Sequence, residues 1–266
     1  MINNLDPQSV DRWKFVDDTT ISETVSKNSA SNIQTAVDYV QNWSSDNRLK
    51  LNELKCKELV IDFSRAVNTL QRIIVNGNEL ELVSHAKILG LVISNDLKWN
   101  DHVYHIIKKV NKHIYSVVQL KRAKVATCDI VQFYSICIIP ILEYSCQVFH
   151  HGLPEYLSLA IERVQKRVLS IIYPSVESYA YRLEVSGLFT LQSRREAACA
   201  KLFNNIKDNH SHKLFPLLPP RHYSNYNLRR PRDFIHPRVK TRRFEDTFIQ
   251  AVSITNIIVN NRGFFI

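Results

Sequence analysis

Glycine is scarce: five in 266 residues, with nine prolines, are too few for a collagenous or low-complexity chain. With 45% apolar residues, the composition is that of a globular protein of one or two domains able to bury a sizeable core. Cysteine is also sparse. Cys56, Cys128, Cys137, Cys146 and Cys199 contain no C-x-x-C pair, and their odd number argues against a closed disulfide framework and for a reducing, intracellular compartment. No basic stretch followed by an apolar run opens the chain, so no signal peptide is expected. The most apolar stretch, residues 130–149, is broken by Gln132, Pro140 and Glu143, which suits buried helices better than a bilayer span. No glycine-rich phosphate loop, Ser-His-Asp order or dinucleotide fingerprint occurs. The pairs His102 and His105, His150 and His151, and His210 and His212 lack partners at zinc spacing and read as surface or core histidines. Negative charge is in deficit: 35 Lys and Arg against 25 Asp and Glu leave a formal +10, which implies an anionic partner, nucleic acid or an anionic membrane.

Against these absences stand two adjacent carboxylates, Asp17 and Asp18, between Trp13, Phe15 and Val16 on one side and Thr19, Thr20 and Ile21 on the other. The flanks are β-prone and Asp tolerates turns, so a hairpin with both carboxylates at an exposed tip is predicted. Paired carboxylates beside a nucleotide are what magnesium-assisted phosphoryl transfer uses, although Asp-Asp is also a common surface turn. Residues 1–12, including Asp6 and Asp11, read as a polar loop.

Ser29 or Ser31 can cap a helix with Ile33, Ala36, Val37 and Val40 on one face, ending near Trp43-Ser44. Lys55 and Lys57 lead into Leu59–Phe63, a β-rich run. Asn76-Gly77 is the strongest hairpin signal in the chain, and Lys87–Ser94 reads as a strand carrying Leu89 and Gly90. From Asn100 the pattern is helical. Val103, Ile107, Val110, Ile114 and Val117 make an apolar stripe, with Lys108, Lys109 and Lys112 outside it. Further helices are predicted over residues 130–149, bent at Pro140, and over 154–173 and 191–207, with Gly152, Pro154, Pro174 and Gly187 as stops and starts. Arg163, Lys166 and Arg167 form a basic edge. Beyond Pro220 the chain turns strongly basic, with Arg229, Arg230, Arg232, Arg242 and Arg243 among residues interleaved with Tyr223, Tyr226 and Phe234. That mixture suits single-stranded nucleic acid, while the prolines at 231 and 237 oppose the amphipathic helix an anionic membrane calls for. A weak helical pattern returns over residues 244–258.

The run Lys14-Phe15-Val16-Asp17-Asp18-Thr19-Thr20 resembles the aromatic-x-Asp-Asp motif of the reverse transcriptase palm, specifically that of non-LTR retrotransposon polymerases. In that family a helix ending in Trp-Ser follows, as with Trp43-Ser44. Next come a segment like Leu49–Lys57 and a Leu-Gly primer-grip hairpin like Ile88–Trp99. Residues 139–144 and 161–167 resemble the helical region after the polymerase. The resemblance implies an α+β chain: a partial palm over residues 1–98, a helical thumb and connecting region over 99–210, and a basic tail with a short terminal helix over 211–266.

The implied activity is RNA-directed DNA synthesis on an RNA template and DNA primer, with no membrane partner. Asp17 would hold Mg2+ with an upstream aspartate, and Asp18 would support the site. Lys55 would stabilise phosphate charge or donate a proton, Gly90 would approach the primer, and Lys108, Lys109, Lys112 and the tail arginines would meet phosphates. The fingers, the first metal-binding aspartate and the nucleotide-gating motif are expected upstream of Met1. The chain is therefore expected to bind nucleic acid, to be inactive alone, and to associate with the missing half. The alternative is a helical interaction protein domesticated from a retroelement.

Overall fold

The computed structural model describes residues 10–26, 29–64, 70–222, 234–235 and 238–259. The chain is α+β and divides into two compact units, Met1–Leu97 and Lys98–Ile266. Among the described residues no helix is long and apolar enough to cross a membrane.

In the first unit, β1 (Asp11–Phe15) pairs antiparallel with β2 (Asp18–Ser22). Of the loop expected over residues 1–12, residues 1–9 lie outside the described ones, and Asp11 and Arg12 already lie opposite Ser22 and Ile21 in the ladder. Helix α1 (Ile33–Asp46) buries Ala36, Val40 and Ser44, the face expected from its periodicity. Its cap differs from expectation. Asn32 is the N-cap, and its N–H donates to the Glu23 carboxylate at 2.9 and 3.1 Å. Ser31 donates its hydroxyl to the same carboxylate at 2.7 Å and accepts the Ile33 N–H at 3.3 Å. These bonds to the Asn32 N–H and the Ser31 hydroxyl hold the Glu23 carboxyl below its ordinary range.

The remaining strands are short: β3 (Lys57–Glu58), β4 (Ile74–Val75), β5 (Asn78–Glu79), β6 (Glu81–Leu82), β7 (His85–Ile88) and β8 (Leu91–Ser94). β3 runs parallel to β6, and β4–β5 and β7–β8 are antiparallel hairpins. At Asn76-Gly77 both residues have positive φ, 50° and 77°, as a two-residue primed turn requires. The single strand expected over Lys87–Ser94 is instead a hairpin, turned at Leu89-Gly90 with φ of 47° and 90°. Leu59–Phe63 forms no strand. The Asp62 carboxylate accepts the Ser64 N–H at 2.7 Å, a local turn that competes with an extended ladder. The β4–β5 hairpin is held by side chains of α1. Gln34 donates to the Ile74 carbonyl and accepts its N–H, both at 2.9 Å, and Gln41 accepts the Asn76 N–H at 3.0 Å.

The second unit is helical: α2 (Asn100–Arg122), α3 (Thr127–Phe133), α4 (Ile139–Glu143), α5 (Cys146–Phe149), α6 (Glu155–Ile172), α7 (Tyr179–Ser186), α8 (Leu191–Asp208), α9 (Arg242–Glu245) and α10 (Phe248–Val259). The buried seam of α2 contains Val103, Ile106, Val110, Ile114 and Val117, together with His102. Ile107, expected there, is only half-buried. α2 packs on α6, which buries Leu157, Ile161, Val168 and Leu169. The one helical segment expected over residues 130–149 is instead several pieces. Tyr134–Ile138 winds as a π-helix, α4 restarts with Pro140 in its first turn, and the chain breaks at Ser145, whose φ is +52°. Pro140 has no N–H to give, and the widened π turn absorbs that loss without ending the helix.

Gly152 does more than stop a helix: a Cβ there would sit 2.9 Å from Nε1 of Trp99, so only glycine permits this packing. α7 was not anticipated; its C-cap, Gly187 at φ +66°, was. The terminal helix docks: Phe248 and Val252 of α10 pack with Cys199 and Phe203 of α8 and with Phe234.

Polar groups tie these helices together. Gln165, fully buried, accepts from the Tyr134 hydroxyl at 2.8 Å and donates to the Tyr179 hydroxyl at 3.0 Å and to the Phe189 carbonyl at 2.9 Å. Tyr179 in turn donates to Glu162. Arg194 grips Glu143 through two bonds, 2.6 and 3.0 Å, joining α8 to α4.

Candidate nucleic-acid interface

β1 alternates side chains between two faces. Trp13 and Phe15 share one face, and Arg12 and Lys14 the other. Phe15 lies opposite Asp18, so the connection is the two-residue loop Val16-Asp17. Such a loop needs positive φ at its first position, and Val16 supplies it at +53°. For a β-branched residue this is strained backbone, costing about 1–3 kcal/mol. The result is that Asp17, in the turn, and Asp18, opening β2, are both exposed and adjacent.

Trp13 and Phe15 are also exposed, 56% and 60%, so β1 presents an aromatic face to solvent. Lys14 is pushed below its ordinary range by desolvation and then by the charge of Arg12 beside it. The other first-unit candidates lie in turns of their own: Lys55 exposed in the turn before β3, and Gly90 in the β7–β8 turn. The glycine's positive φ explains it locally, as the residue that closes the hairpin. Among the described residues, no group of three or more His, Cys, Asp or Glu side chains is arranged to hold a metal ion. Asp17 and Asp18 alone are two exposed carboxylates, short of such a group.

In the second unit Lys108, Lys109 and Lys112 are exposed on α2, opposite its buried seam. Tyr104 and Tyr115 join them, 56% and 67% exposed. Tyr104, Lys108, Lys112 and Tyr115 recur at helical spacing along one side over about 16 Å of axis. Ammonium groups there can meet phosphates without reading sequence, and the phenol rings add flat surface for bases. The tyrosines were missed, although their spacing to the lysines was the available signal. Arg163, Lys166 and Arg167 of α6 are exposed as well, and Lys166 lies over the Tyr179 ring at 5.0 Å from its centroid.

Of the tail arginines, Arg242 and Arg243 open α9 and are exposed; Arg242 is 3.9 Å from Asp246. Arg229, Arg230 and Arg232 lie outside the described residues, as do Tyr223 and Tyr226. His102 is a core histidine and His150 is half-buried. Desolvation, followed by His105, lowers His102 to about 4, and desolvation, followed by His151 and Arg195, lowers His150 to about 4. Comparison with protein-family models, curated proteins and solved structures finds no match.

Proposed function

We propose that this chain is the palm-hairpin, thumb and connecting part of a non-LTR retrotransposon reverse transcriptase, and that it binds RNA template and DNA primer. The observation that carries the reading is the strained two-residue loop that places Asp17 and Asp18 together on an exposed tip. A β-branched residue in left-handed backbone is costly, and such strain gathers at functional sites. In this reading Asp17 binds Mg2+, Asp18 supports it, Lys55 meets the triphosphate and Gly90 the primer. α2 lies along the template–primer with its lysines on phosphates. DNA synthesis then requires the polypeptide that carries the fingers and the first metal-binding aspartate.

The test is anisotropy of a labelled RNA–DNA template–primer against salt. Affinity should fall linearly on logarithmic axes, and replacing Lys108, Lys109 and Lys112 by alanine should flatten the slope by about 2–3. A response indifferent to salt would exclude phosphate contacts. Primer extension with Mg2+ should appear only when the complementing half is added, and Asp17→Asn should abolish it.

A second reading, a helical interaction protein, is favoured by one feature. Tyr181 and Val185, one turn apart on α7, and Phe189, beyond its Gly187 cap, are large apolar side chains left exposed. Salt-independent capture of a partner protein lost on Phe189→Ala would support it over nucleic-acid binding.

A further inference from the structure

An open cleft of about 370 Å³ lies against α10, within the size range of small-ligand sites, about 300–1,000 Å³. Leu217, Pro219, Pro220, Ile235 and Gln250 line it. Leu217 ends a short 3-10 turn, Phe215–Leu217, and the prolines that follow stiffen the backbone of that wall. Ile235 is tied to the same wall, because its N–H donates to the Pro220 carbonyl at 2.8 Å and an antiparallel bridge joins Arg221 to Phe234. Leu217 and Ile235 are 62% and 52% exposed and form the rim, whereas Gln250, 7% exposed, forms the floor.

Gln250 is the one polar side chain among the described lining residues, and its Oε1 is buried without a hydrogen-bond partner. An unpaired buried amide is costly, and an apolar residue would pack there without that cost. An occupant that brings a donor removes it. Charge indicates which occupant: residues 216–243 carry eight Lys and Arg against one acid, Asp233. The described members, Arg221, Arg238, Lys240, Arg242 and Arg243, are all exposed, and Arg221 directly follows Pro220 of the cleft wall.

We propose that this cleft takes an unpaired base of a single-stranded nucleic acid, with the Gln250 amide on the base edge and Arg221 on a neighbouring phosphate. A base brings a flat body for Leu217, the prolines and Ile235, and an edge on which N–H donors and acceptors adjoin. A glutamine amide carries both groups side by side and pairs twice with such an edge, that of adenine above all. An acidic peptide would match the charge, but its apolar side chain in the cleft would leave the Gln250 oxygen unpaired. A paired base keeps its faces inside the stack, out of reach of the cleft walls, so the strand must be single. The site therefore uses other residues than the α2 lysines and does not rest on the polymerase reading.

The experiment titrates the full chain by anisotropy with labelled oligoadenylate and with an abasic strand of equal length, at several salt concentrations. Oligoadenylate carrying one photoreactive 8-azidoadenine is then cross-linked and the peptides are mapped. Oligoadenylate should bind about tenfold tighter than the abasic strand with the same salt slope, because the phosphates are the same and only the base contacts differ. Cross-links should fall on residues 217–220 or on Ile235. Gln250→Met should remove most of that preference while leaving the salt slope and template–primer duplex binding unchanged. Ile235→Ala alters only the exposed rim and should weaken the preference as well, so the decision stands even if Gln250→Met does not fold. Loss of duplex binding with the cross-link kept would sink the α2 reading and not this one. Equal affinity for the abasic strand, cross-links confined to other peptides, or displacement by polyglutamate of a strand that Gln250→Met binds equally well overturns the proposal.

Discussion

Gln165→Met should expose how much of the helical unit rests on one amide. The side chain is fully buried and makes three hydrogen bonds, to the Tyr134 hydroxyl, the Tyr179 hydroxyl and the Phe189 carbonyl. Methionine keeps the length of the side chain and removes all three. Tyr179 retains its bond to Glu162, and the Phe189 carbonyl, on a surface loop, regains water at small cost. The Tyr134 hydroxyl is worse placed. Its residue is fully buried, and desolvation, followed by the charges of Tyr179, Glu162 and Glu143, pushes its pKa far up, so it stays a neutral donor without an acceptor. An orphaned buried donor costs about 1–3 kcal/mol, and the whole variant should therefore lose about 2–4 kcal/mol. Urea unfolding followed by far-ultraviolet circular dichroism reports it, since among the described residues every helix but α1 lies in this unit. The sharper reading comes from adding Tyr134→Phe. Deleting the stranded hydroxyl should return about 1–3 kcal/mol, so that the double variant is more stable than the single one. A single variant losing under about 1 kcal/mol, or a double variant no better than the single, refutes the reasoning.

Val16→Asn should stabilise the β1–β2 hairpin by about 1 kcal/mol, because Asn tolerates left-handed backbone and Val does not, and slower amide exchange in β2 would register it. Acid should weaken the second unit through His102. Its folded pKa is about 4 against an ordinary 6.5, so the unfolded chain takes up a proton that the fold refuses. Stability is full above pH 6.5 and falls as pH drops toward 4, by about 3 kcal/mol at most. His102→Leu should remove its share of that slope in urea titrations at successive pH values, leaving the share of His150, which burial likewise lowers to about 4, and parallel slopes would exclude His102 as a cause.

Long periodic stretches were legible in the sequence because periodicity directly reports a buried face. α1, α2, α6 and α8 appear where the apolar spacing put them, and Asn76-Gly77 turns where turn chemistry demands, whereas the first hairpin turns one residue earlier than its paired carboxylates, at Val16-Asp17. What was not legible involves partners far apart along the chain. Glu23 caps α1 from outside the helix, and Gln34 and Gln41 act as ladder partners for a hairpin some forty residues on. Nothing in a glutamine's neighbours announces that it will bond main chain elsewhere. Leu59–Phe63 had strand composition, yet a turn formed by Asp62 competes with the ladder there. The buried Arg195 was hidden for the opposite reason: an arginine in a helix reads as solvated unless one knows what covers it.

These differences divide the proposed activity into two separable parts. Every sheet among the described residues has only two strands, and a hairpin of that size is marginal without support. β1 keeps its aromatic face in solvent, and its tip already carries strained backbone at Val16. Two carboxylates on such an element are poorly fixed, and metal-assisted transfer loses much of its rate when its ligands move by an ångström. The lysines of α2 stand on firmer ground. Their helix is anchored by a continuous buried seam, and phosphate contacts tolerate loose geometry because they depend on charge and distance. Binding should therefore survive changes that disorder the Asp17-Asp18 hairpin. Catalysis, under the proposed reading, should depend on added β-structure that stiffens it, so the two proposed roles fall to different elements of one chain.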